Sequence, residues 1–271
     1  MNFNVQIENE GEVQKPWLVL VNGLFASLES WEKSVSSLSN HFRVLRYDGR
    51  GQGRGPRPLS GYGLDELTAD LLSILEENRI EKAFFVGLSN GARVALNLAS
   101  LHPSKVSGIC ACDTYASVSP LLKMKLSSWL EANRVGGPSL RFDVATPWIW
   151  GETIVKEKPE LLAFYRERAG LEKVHVIEGL IKGAMEDKTI DLTQIKCPVL
   201  LCVGREDLLT PSFIHEQMCE QLFMATLKIV KGGHASLLEE PTNIEEFILP
   251  WAKDQIAQNK LVDSEPIAER I

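Results

Sequence analysis

A serine flanked by glycines, Gly87-Leu88-Ser89-Asn90-Gly91, follows the apolar run AFFV and opens a stretch rich in Ala and Leu. A strand that turns sharply into a helix needs glycines where side chains would collide, and this G-x-S-x-G pattern puts them on both sides of the serine. The hydroxyl of Ser89 then stands clear at the C-terminal edge of a sheet. The helix behind it aims its N-terminus, and a partial positive charge, at the place where negative charge would develop. Such a residue suits nucleophilic attack on a carbonyl.

A serine hydroxyl is a weak nucleophile without a base, and histidine is the usual base near neutral pH. Of the histidines His41, His102, His175, His215 and His234, the last lies in GGHAS, between the apolar run TLKIV and the final helical stretch. A loop leaving a strand end can reach the serine. His41 and His102 border segments that feed strands, His175 lies in a helical region and His215 reads as helical. The imidazole needs an acid to hold its tautomer. Asp207, in GREDLLTP after the strand PVLLCV, is the choice; Asp113, ending VSGICAC, and the neighbouring Glu206 are its rivals. The oxyanion of a tetrahedral intermediate needs N–H donors. One is the backbone of Asn90, and the second comes from the turn Asn22-Gly23-Leu24-Phe25, at Leu24 or alternatively Phe25.

These residues are useful only if strand ends converge. WLVLV (17–21), FRVLRY (42–47), AFFVG (83–87), VSGICAC (106–112), PVLLCV (198–203) and TLKIV (226–230) are near-continuous apolar runs. They alternate with helical patterns at 30–38, 64–79 and 90–102, the last stopped by Pro103. Apolar strands alternating with helices predict a mostly parallel central sheet covered on both faces. FNVQI and VQK, flanking ENEGE, predict an N-terminal hairpin. From 116 to 192 no buried strand is visible, and the stretches SPLLKMKLSSWLEA and PELLAFYRERAG predict a helical insertion into a core formed by 1–115 and 193–258. A last helix is expected near Thr242, where Thr242 and Glu245 have capping-box spacing, with a polar tail over 259–271.

Composition excludes other classes. The 271 residues suffice for one large core, with 44% hydrophobic and 24% charged residues. A formal charge of −7 disfavours nucleic acid and anionic membrane as partners. No run is long and apolar enough to span a bilayer, and the opening MNFNVQIENEGEVQK carries no basic-then-apolar leader, so a cytoplasmic location is expected. The five cysteines, Cys110, Cys112, Cys197, Cys202 and Cys219, are odd in number and read as buried reduced thiols. C-x-C without a histidine cluster gives no zinc pattern. Neither metal nor organic cofactor is expected, and oligomeric state is left open.

The motifs VLVNGL (19–24), RYDGRGQGRG (46–55), GLSNG (87–91), GREDLLTP (204–211) and GGHASLLEEP (232–241) together resemble the α/β-hydrolase superfamily over nearly the whole chain. The order Ser, Asp, His matches that superfamily's order. The resemblance implies an α/β-hydrolase fold with 116–192 as a helical cap. Its aromatics, Trp129, Trp148 and Trp150, together with Phe25, would line an apolar pocket over Ser89. The pattern is most similar to small cofactor-free carboxylic-ester hydrolases: 3-oxoadipate enol-lactonases, carboxylesterases and acyl-carrier methyl-ester esterases. Departures are Asn22, where a histidine is frequent, Asn90, where a larger side chain near the pocket is frequent, and Arg54, where serine is common. A serine nucleophile argues against haloalkane dehalogenase and epoxide hydrolase chemistry. The expected activity is hydrolysis of a small or medium ester or lactone through an acyl-enzyme. C–C bond hydrolysis, cofactor-free perhydrolase chemistry and a ligand-binding homologue with little turnover are the alternatives.

Overall fold

The parallel sheet expected from the apolar runs is present. In the computed structural model, which describes residues 1–264, seven strands lie in the order β1-β3-β2-β4-β5-β6-β7. They are β1 (Asn4–Glu8), β2 (Trp17–Val21), β3 (Arg43–Asp48), β4 (Ala83–Leu88), β5 (Val106–Cys112), β6 (Val199–Gly204) and β7 (Ala225–Val230). All neighbours are parallel except β1, which runs antiparallel to β3. The helices are α1 (Glu32–Ser39), α2 (Leu64–Glu77), α3 (Asn90–Leu101), α4 (Pro120–Ile149), α5 (Glu152–Glu157), α6 (Pro159–Gly170), α7 (Val174–Ala184), α8 (Ser212–Gln221), α9 (Ser236–Glu239) and α10 (Leu249–Ser264).

Both faces of the sheet centre are covered, which is why β2, β4 and β6 carry no charged residue and are buried almost throughout, while the edge strands β1 and β7 keep polar residues and stay partly exposed. Val19, Val21 and Phe85 pack with Leu71 of α2, Leu96 of α3 and Met218 of α8. Leu18, Leu20 and Val86 pack on the other face with Val35 of α1 and Ala252 of α10. Each such side chain contributes about 1.5–3 kcal/mol by leaving water. Ten of the twelve residues of α3 are buried, Asn90, Arg93 and Asn97 among them, so this helix presents almost no face to solvent and uses Gly and Ala for close approach.

The expected N-terminal hairpin does not form. β1 pairs instead with β3, from Asn4↔Asp48 to Glu8↔Val44. The turn after β1 is tied outward: Asn9 Nδ2 donates to Phe42 O at 3.3 Å, and the Lys15 carbonyl accepts from Arg43 Nε at 2.9 Å. The open edge of β3 thus outcompetes a short return strand. The Thr242–Glu245 capping box is also absent among the described residues. Asn243 Nδ2 donates to Lys231 O (2.9 Å) and Ser236 O (3.1 Å), and the helix opens with a wide turn over Ile244–Ile248. α10 runs on to Ser264, past the boundary expected at 259, because nothing before Pro266 breaks a helix. The rest of the expected tail, 265–271, lies outside the described residues.

Between β5 and β6 the described residues hold helices α4 to α7 and no strand. α4 is broken at Gly137, whose φ of 74° is followed by Pro138. No helix among the described residues is long and apolar enough to cross a membrane.

Candidate active site

Parallel strands end on one edge, and the sheet register brings those ends level. Val21 pairs with Gly87, Leu88 with Cys112, Cys112 with Cys202, and Gly204 with Val230. The turns after β2, β4, β5, β6 and β7 therefore meet, and they carry Leu24, Ser89, Asp113, Asp207 and His234.

Ser89 sits between β4 and α3 at φ 54° and ψ −121°, a left-handed conformation that costs a non-glycine residue of order 1–3 kcal/mol. The surroundings enforce it. Ser89 N donates to Cys112 O at 2.8 Å, and Thr114 Oγ1 donates to the Ser89 carbonyl at 2.8 Å. A Cβ at Gly91 would run into the Val21 carbonyl, and one at Gly87 into the backbone of Ala92.

The structure brings Ser89, His234 and Asp207 together. His234 Nε2 is 2.7 Å from Ser89 Oγ, and His234 Nδ1 is 3.0 Å from Asp207 Oδ2. With Nδ1 protonated toward the carboxylate, Nε2 is the acceptor for the serine proton. Asp207 is itself held: Oδ1 accepts from Leu209 N (2.8 Å) and Thr210 N (2.9 Å), and Oδ2 from Thr210 Oγ1 (2.9 Å). Burial would push this carboxyl up; the facing His234 and the Thr210 bonds outweigh it and hold it below the ordinary range.

The two rival acids do other work. Asp113 bonds to Gly204 N (2.8 Å), Ser236 N (3.1 Å) and Ser236 Oγ (2.6 Å), so it ties the loop after β6 to the segment after His234. Burial and the nearby Asp207 charge push its carboxyl well up. Glu206 turns outward and accepts from Thr153 N (2.9 Å) and Thr153 Oγ1 (2.6 Å). His215 is buried and accepts from Thr114 N at 2.9 Å; burial pulls its pKa down to about 4, leaving it neutral.

Leu24 lies in a tight turn, with Phe25 at φ 65° and Ala26 N donating to Gly23 O at 3.3 Å. Two side chains brace this turn. Asn22 Nδ2 donates to Tyr47 O and Trp31 Nε1 donates to Asn22 Oδ1, both at 2.7 Å. Gln52 Nε2 donates to the Gly23 carbonyl at 2.7 Å. Asn22 thus ties the end of β2 to β3. The bracing role of Gln52, inside the motif RYDGRGQGRG, was not read from the sequence; a polar residue between glycines was its only signal.

A cavity of about 880 Å³ opens over Ser89 and His234. Of the expected pocket residues, Phe25, Trp129 and Trp150 line it, joined by Phe142, Phe164 and Tyr165. Trp148 does not. It is 36% exposed and lies under Lys125 Nζ, 4.7 Å from the ring centroid. α4 ends at Ile149 and the backbone becomes extended at Trp150 (φ −90°, ψ 135°), so Ile149 and Trp150 line the cavity while Trp148 stays on the outer side. The Asn90 side chain does not line this cavity either; it borders a small void behind Ser89 with Val21, Asn22 and Leu24. Arg141, missed in the sequence because its helix has charges scattered around it, is buried in the cavity wall. Among the described residues no cluster of three or more metal-ligating side chains gathers, and all five cysteines are free thiols.

The family model described as alpha/beta hydrolase fold matches residues 16–142. The 3-oxoadipate enol-lactonase 2 of Acinetobacter baylyi is 24% identical over 232 residues, covering 85% of this chain and 86% of that protein. A RutD protein of Pseudomonas syringae pv. syringae, named for carbamate hydrolysis, is 29% identical over 253 residues, covering 89% and 95%. The crystal structure of the enol-lactonase from Burkholderia xenovorans LB400 superposes with a TM-score of 0.85 at 25% identity, covering 93% of this chain and 96% of that one.

Proposed function

For a chain with the α/β-hydrolase fold, we propose hydrolysis of a carboxylic ester or lactone by Ser89 through an acyl-enzyme. The observation that carries this reading is the unbroken relay Ser89 Oγ, His234, Asp207, at 2.7 Å and 3.0 Å, on a strained turn that exposes the hydroxyl. Ser89 Oγ attacks the carbonyl carbon while His234 Nε2 takes its proton. The oxyanion is held by the N–H groups of Leu24 and Asn90. As the intermediate collapses, the bond to the leaving oxygen breaks and His234 returns the proton to it. Water then gives a proton to His234 and attacks the acyl carbon, and breakage of the Ser89 ester releases the acid and restores the serine.

In this reading 1–115 and 193–258 form the catalytic core, and 116–192 is a cap that closes the cavity with Trp129, Phe142 and Trp150. His234 N donates to Ile149 O at 2.7 Å, a direct link between the base and the end of α4. Similarity to an enol-lactonase and to a protein named for carbamate hydrolysis places lactones and carbamates beside esters in the substrate panel.

The test is intact-mass measurement after treatment with a fluorophosphonate, with Ser89→Ala in parallel, followed by turnover of short p-nitrophenyl esters, lactones and aryl carbamates. One adduct on the wild type, none on the variant, and matching turnover are expected. A folded wild type that takes no adduct and hydrolyses nothing would sink the reading and favour ligand binding without turnover.

A further inference from the structure

Arg141 follows the break in α4 at Gly137 and is 2% exposed. No carboxylate and no hydrogen-bond acceptor among the described residues meets its guanidinium, and its Nε is wholly buried without a partner. The Arg141 Cζ stands 4.0 Å from the Phe25 ring centroid and 6.0 Å from that of Phe142. Burial pulls its pKa down to about 10, so it still carries its charge at neutral pH. An unpaired buried charge is expensive, and where only volume is needed a leucine or methionine fills the place better.

The other charges of the cavity wall are spoken for. Glu29 pairs with Arg168 at 2.8 Å, Glu32 with Arg46 at 2.6 Å and Glu172 with Arg57 at 3.2 Å. Asp48 accepts from Leu28 N and Arg54 N, and Arg54 itself is exposed to solvent. Arg141 therefore remains, among the described residues, the buried cation of this cavity without an anion. A second donor shares its situation: Trp129 Nε1–H, on the first half of α4, is buried and unpartnered in the same wall. The ring beneath the guanidinium belongs to Phe25, the residue after Leu24, so the guanidinium is tied to the turn that faces Ser89, and Trp129 belongs to the apolar cluster that Phe25 packs against.

We propose that the substrate carries a carboxylate in addition to its scissile ester or lactone, and that Arg141, with Trp129 Nε1–H, binds it. A carboxylate offers a planar pair of oxygens to a planar guanidinium, a match that a neutral acyl chain lacks. The inference rests on the hydrolase reading for the scissile group, while the anion site stands on Arg141 itself.

The test compares mono-p-nitrophenyl succinate, glutarate and adipate with neutral p-nitrophenyl esters of equal length, on wild type, Arg141→Gln and Arg141→Lys. The wild type is expected to favour the best half-ester by roughly 10- to 100-fold in kcat/KM. Arg141→Gln brings that ratio near one, mainly through KM, and Arg141→Lys keeps part of it. A wild type that treats charged and neutral esters alike, or a ratio unmoved in Arg141→Gln, overturns the proposal. Should Arg141→Gln fail to fold, the wild-type ratio and inhibition by glutarate against pentanoate decide in its place. If neither ester class is hydrolysed and no fluorophosphonate adduct forms, the hydrolase reading fails alone. Calorimetric binding of glutarate to the wild type then decides the anion site, and absence of binding overturns it.

Discussion

The Glu239 carboxylate accepts the backbone N–H of Gly233 at 2.9 Å, one residue before His234, and also faces Gly151 N at 3.3 Å. This buried group staples the histidine loop to the start of α5. Burial pushes its pKa up to about 7, against the pull of the Gly233 and Gly151 N–H groups and with the help of the Glu206 charge. Between the unfolded value near 4.5 and about 7, the folded state holds more protons than the unfolded one, so stability falls as pH rises through this window. Glu239→Gln removes the titration. Urea denaturation at pH 5 and pH 8 should show the variant gaining on the wild type by on the order of 2–3 kcal/mol over this interval. A difference that does not change with pH would refute the raised pKa.

Asp207 and Asp113 end neighbouring strands, and their variants should separate cleanly. Asp207→Asn leaves the imidazole in the wrong tautomer, and kcat is expected to fall roughly 1,000- to 10,000-fold with the fold intact. Glu206→Gln, which loses only an outward link to Thr153, should stay within about threefold. Asp113→Ala unties Gly204 from Ser236 and should appear first as a drop of about 2–4 kcal/mol in stability. Equal kinetic damage from Asp207→Asn and Glu206→Gln would overturn the assignment.

Backbone strain at Ser89 is open to measurement. Both Ser89→Ala and Ser89→Gly abolish the nucleophile, but only glycine relieves φ 54°. Strain relief outweighs the added freedom of the unfolded chain, so Ser89→Gly should be more stable than Ser89→Ala by about 1 kcal/mol. Chemical denaturation of the two inactive variants gives the answer without an assay, and the reverse order would mean that the turn stores no strain.

Gln52 acts through the Gly23 carbonyl. Without that donor the Leu24 turn loosens, and kcat should drop roughly 10- to 100-fold with KM little changed, since the loss falls on the oxyanion. Gln52→Glu keeps the shape but has no donor, and should be as impaired as Gln52→Ala. Full activity in Gln52→Glu would show that the hydrogen bond to Gly23 is not what positions the turn.

Much of this was legible in the chain. Apolar runs ending in Asn22-Gly23, Gly87-Leu88-Ser89 and Gly204 mark strands that are buried on both faces, and these runs, with TLKIV before Gly232-Gly233, turn sharply at one edge. Local sterics dictate both features, so the parallel sheet and the positions of Ser89, Asp207 and His234 at strand ends follow from residue types alone. The N-terminal hairpin misled because VQK and FNVQI look alike locally, whereas the choice of partner belonged to the distant edge of β3.

Tertiary structure decided what depends on contacts across the fold. Asp113 and Asp207 both follow strand ends, one residue past β5 and three past β6; the contact of Asp207 with His234 and the bonds of Asp113 to Ser236 tell them apart. Trp148 and Trp150 look interchangeable in sequence, yet α4 ends between them, leaving one on the outer side of the helix and the other, on extended backbone, in the cavity wall. Arg141 is an ordinary helical arginine until the break at Gly137 turns its half of α4 inward over Phe25. Whether a charge is buried and whether it has a partner are properties of the assembled neighbourhood, because desolvation and pairing are set by residues far apart in the chain.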